Sequence, residues 1–130
     1  MADDLPDWAQ QHFEEEAFLR SQLTVTESDY REAVSALVKL AQGDTSGSRA
    51  AAQVLLSLYN GSAWHMDLSD LGVLDLRYLQ YALIAIRGRV VLMREPHRVI
   101  DNGDRIFDQL CELWQHLNTW ERYSEKYRDE

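Results

Sequence analysis

The chain has 130 residues, with 22 Asp plus Glu against 13 Lys plus Arg and a formal net charge of −9. That length suits one domain able to bury a real core, and a lone cysteine, Cys111, excludes an internal disulfide framework. The longest apolar run, residues 81–86, is far short of a membrane span. Three aspartates and no base in the first seven residues argue against a secretory signal, and an acidic chain is a poor binder of polyphosphates.

The predicted elements are helices throughout. Residues 6–20 place Leu5, Trp8 and Leu19 on one side and Ala9, Phe13 and Ala17 on another, with Pro6 acceptable in the first turn. This helix packs weakly or docks on a partner. Tyr30, Val34, Leu37, Val38 and Ala41 recur at helical spacing behind the capping pattern Thr26 to Asp29, and Gly43 closes a helix over 28–42. A short connection follows, and Ala51, Val54, Leu55 and Leu58 define a helix over 46–60.

Residues 61–75 read as an irregular connection with Trp64 and Met66 tucked beneath it and one helical turn near 67–72. Asp75 caps a longer helix over 76–93. Leu76, Leu79, Leu83, Ile86 and Val90 line one face of it, and its apolar circumference predicts the central, most buried helix. Pro96 ends that segment. Asp101 or Asn102 starts the last long helix, whose stripe is Ile106, Leu110, Leu113 and Leu117, flanked by Phe107 and Trp114. Residues 119–127 continue it or begin a separate one. Strand signals are scarce. The expectation is an all-α, compact bundle of about five helices forming a single domain over 1–130. Residues 1–25 supply a peripheral acidic helix and residues 26–118 the core.

No constellation points to catalysis. His12, His65, His97 and His116 form no metal-binding motif. The segment Asp101-Asn102-Gly103-Asp104 fails as a calcium loop, because the sixth position is Ile106 where glycine is required. Cys111 has acidic neighbours, Asp108 and Glu112, which suit an inert thiol. Glu14, Glu15 and Glu16 are adjacent on a helix and therefore fan out, and Asp67, Asp70 and Asp75 suit capping. Phosphate-binding glycine loops are absent. The expectation is a protein that is not an enzyme and uses no metal or cofactor.

The turn Ala41-Gln42-Gly43-Asp44-Thr45, then Ser48-Arg49, the helix end at Leu55 to Asn60, Asp67-Leu68-Ser69-Asp70-Leu71, Asp75 and the Phe107, Leu110, Trp114 stripe resemble a small family of uncharacterised bacterial proteins. Many of that family come from mobile-element regions of proteobacterial genomes. The resemblance covers Leu37 to Trp114 and implies a bacterial, cytoplasmic setting.

Charge and aromatics give the functional expectation. Residues 33–100 sum to +2, whereas residues 1–32 carry −7 and residues 101–130 carry −4. Trp8 and Trp120 sit in those acidic ends, a composition suited to protein binding. The expected contact residues are Trp8, Glu14, Glu15, Glu16, Trp120 and Tyr123, the expected partner a protein with a basic surface, and the exposed N-terminal helix also suits a homodimer. A sharper variant is a mobile-element inhibitor, of the anti-CRISPR kind, that occupies a basic nucleic-acid groove. A further alternative is a nucleic-acid-binding regulator using the stretch Arg87, Arg89, Arg94, His97 and Arg98. The acidic balance disfavours direct nucleic-acid binding, and no membrane association is expected.

Overall fold

A computed structural model describes residues 5–121. The fold is all-α: α1 (Asp7–Leu23), α2 (Glu27–Ala41), α3 (Ser46–Tyr59), α4 (Leu76–Val91) and α5 (Gly103–Leu113). Short 3-10 pieces lie at Leu68–Val73, Pro96–Arg98 and Gln115–Leu117. Residues 119–121 turn helical again, with the Asn118 side chain accepting from the Trp120 and Glu121 N–H groups.

The caps form where the side chains dictate. Thr26 accepts from the Asp29 N–H at 3.0 Å, Thr45 from Ser48 at 3.0 Å and Asp75 from Tyr78 at 3.1 Å. Each supplies an acceptor for an N–H that the first turn of a helix leaves unpaired. Asp67 does the same for the 3-10 piece after it, through Ser69. The Ser69 hydroxyl, which also donates to Asp67, and then that N–H bond hold the Asp67 carboxyl below its ordinary value.

The central helix is α3, not α4. Residues 50–56 of α3 are all buried, because Ala50, Ala51 and Ala52 let neighbouring helices approach closely. The helix α3 packs on α2, α4, α5 and the 3-10 pieces at Leu68–Val73 and Pro96–Arg98. In α4 only Ala82, Ala85 and Gly88 are buried. The small residues face inward, and of the large ones predicted to form the core face Leu76, Leu83 and Val90 are exposed while Leu79 and Ile86 are half-buried. Met93, at φ 55°, ends α4 three residues before Pro96.

Two buried contacts tie distant segments together. Tyr30 of α2, fully buried, lays its ring on Gly88 and donates its hydroxyl to the Arg94 carbonyl at 2.7 Å. Trp114 donates its indole N–H to the Ala41 carbonyl at 2.8 Å. That bond holds Trp114 at φ −109° and ψ 24°, so α5 stops at Leu113 where the sequence predicts a continuous stripe. Leu113 faces outward because the inward stripe of α5 runs through Gly103, Phe107, Leu110 and Trp114, and Leu117 reaches the core from the 3-10 piece.

Candidate interaction surface

The helix α1 stands apart from the bundle. Of its 17 residues only Ala9 is buried, and it forms no extended packing with any other helix. Trp8 is 73% exposed, and Phe13, Phe18, Leu19 and Leu23 are at least half exposed. Successive helical residues point about 100° apart, so Glu14, Glu15 and Glu16 diverge, as their spacing predicts. The Glu16 carboxylate accepts from the Arg20 guanidinium at 2.9 Å and lies 3.8 Å from His12. The Arg20 bond and charge hold its carboxyl below the ordinary value.

A second exposed apolar surface lies on α4. Leu76 is 83% exposed, Val90 67% and Leu83 45%, with Leu79 and Ile86 half-buried between them. These five fall at i, i+3, i+7, i+10 and i+14, the spacing by which one helix seats against another. The sequence signal for this face was the stripe itself. What distinguishes it from a core face is the adjoining side, where Ala82, Ala85 and Gly88 mark the close inward contact.

An apolar cavity of about 400 Å³ adjoins the seam, lined by Trp64, Met66, Leu68, Leu71, Ile86 and the end of α3. Two polar side chains border it, His65 and Ser57, and Ser57 donates its hydroxyl to the Val54 carbonyl at 3.0 Å. No carboxylate, arginine or cysteine lines it among the described residues. No group of three metal-ligating side chains occurs among the described residues either.

The remaining sequence-predicted residues scatter. Trp120 is 65% exposed in the segment after α5, and Tyr123 lies outside the described residues. The arginine stretch is divided by the fold. Arg94 pairs with Glu27 at 3.3 Å, Arg98 approaches Asp104 at 4.0 Å, and Arg89 donates to the Leu58 carbonyl at 3.2 Å. Arg87 stays on the exposed side of α4. His97 is buried edge-on to Tyr59, with Nε2 3.4 Å from Glu95 and 3.6 Å from Asp104. Cys111 is half-buried, and burial first, then Asp108, pushes its thiol up, away from the reactive thiolate.

Residues 31–115 match a family of unknown function, DUF7673. The chain belongs to that family. The DUF7673 segment runs from Arg31 in α2 through Gln115, so the α4 seam lies inside it and α1 outside. No curated protein and no solved structure matches the chain. Among the described residues no helix is long and apolar enough to cross a membrane.

Proposed function

We propose that this chain is a non-enzymatic protein-interaction module whose docking surface is built from α1 and the outer seam of α4. The observation that carries this reading is the α4 seam, in which Leu76, Leu83 and Val90 are exposed and Leu79 and Ile86 half-buried. Burying one such side chain is worth about 1.5–3 kcal/mol, so the three left at the surface favour a partner that covers them. The acids of α1 suit a partner that is basic as well as apolar. The apolar lining of the cavity supports a role without chemistry, since catalysis needs converging polar groups.

The reading places the protein in the bacterial cytoplasm, where the single Cys111 remains a thiol, and on a mobile element. Genes flanking it test the second point. A photo-crosslinking residue placed at Phe13 or Leu83 in the native host tests the function itself. Discrete protein adducts from both positions, and none from the exposed Lys39 of α2, are expected. Adducts from neither position would overturn the reading.

A further inference from the structure

Resting on that reading, we propose that the partner of this surface is a second copy of the chain, with α1 of each protomer lying along the α4 seam of the other. Charge selects this pairing. Across its 17 residues α1 carries Asp7, three glutamates and one arginine, a net −3, while α4 carries three arginines and no acid, a net +3. Pairing α4 with α4 sets +3 against +3, and pairing α1 with α1 sets −3 against −3. Only α1 on α4 brings together helices of opposite charge that both carry exposed apolar side chains.

The lengths also agree, since 17 and 16 helical residues each span about 25 Å. The link between α1 and α2 is extended: Thr24 and Thr26 lie at ψ 137° and 155°, and Val25 between them is buried. Two copies each give one α1 and receive one, so the contact closes with twofold symmetry and leaves no growing end.

Sedimentation equilibrium on the full chain tests this. The expected mass is twice the 15.1 kDa of one chain. Leu83→Lys, at an exposed position, is expected to raise the dimer dissociation constant at least about tenfold with an unchanged far-ultraviolet circular dichroism spectrum. A chain carrying Glu14→Lys, Glu15→Lys and Glu16→Lys, and a second carrying Arg77→Glu and Arg87→Glu, are each expected to dissociate alone. Mixed, they are expected to re-form a dimer, because every α1–α4 contact in the mixed species again joins opposite charges. A wild-type chain that stays monomeric overturns the proposal. So does a dimer indifferent to Leu83→Lys, or two charge variants that do not associate when mixed. A monomer whose positions 13 and 83 still crosslink to another protein in the host refutes self-pairing alone and leaves the docking function standing.

Discussion

Replacing Gly88 with alanine tests the close approach of α2 and α4. A Cβ at this position meets Tyr30 Cγ at 2.2 Å, Cδ1 at 2.4 Å and Cδ2 at 2.6 Å. Ordinary carbon contacts lie near 3.5–4.0 Å, so the ring or the helix must yield by about 1.5 Å. Tyr30 is fully buried and its hydroxyl is bound to the Arg94 carbonyl, so a shift of the ring breaks that bond. Overpacking costs about 1–3 kcal/mol, and the hydrogen bond adds about 0.5–1.5 kcal/mol. The gain in helix propensity from glycine to alanine returns about 1 kcal/mol. The net expectation is a loss of about 1–3 kcal/mol, or roughly 5–10 °C in Tm for a domain of this size. Urea unfolding followed by tryptophan fluorescence and far-ultraviolet dichroism measures it. Gly72→Ala, where a Cβ meets open space, is the control and is expected to change little. If Gly88→Ala were as stable as wild type, or more stable by the propensity gain, the packing argument would be refuted.

Two further outcomes follow from buried groups. Gly103→Ala places a Cβ 1.6 Å from the His97 carbonyl oxygen, backbone against backbone, and is expected to cost about 3 kcal/mol or more, read as lost soluble yield and a lower urea midpoint. Burial pushes the Tyr30 phenol up to about 12. The unfolded chain ionises this group first, near 10, so the stability it contributes is complete below pH 10 and is lost as pH rises toward 12. That amounts to roughly 2–3 kcal/mol. Tyr30→Phe is expected to lose about 1 kcal/mol at neutral pH and to flatten the fall in urea midpoint between pH 10 and 12. An equally steep fall in the variant would assign it to other groups.

The helix starts were legible because a cap is a local chemical requirement. Thr26 and Asp75 each stand in front of an apolar-periodic segment, and each makes its bond where expected, whereas α5 starts at Asn102 with no side-chain cap bond. The direction in which α4 faces was not legible. Periodicity reports that a helix has an apolar side, and a helix covered by another protein shows the same period as one covered by its own core. The end of α5 was hidden for a different reason. It is set by the bond from Trp114 to the Ala41 carbonyl, a partner 73 residues away. Of the candidate contact residues, Trp8 and the fanning of Glu14, Glu15 and Glu16 followed from the helix itself, whereas the seam at Leu83 emerged only with the packing of Ala82, Ala85 and Gly88.

That inversion of side-chain size on α4 has a consequence for how the protein tolerates change. Inward positions such as Ala85 and Gly88 have no room, so a library selected only for folding should hold them to the smallest residues. Outward positions such as Leu76 and Val90 should drift freely in the same library. Selected instead for performance in the cell, the outward positions should close up while the inward ones stay as they were. Subtracting one tolerance map from the other would leave an imprint of the proposed partner on α4, obtained before that partner has been isolated.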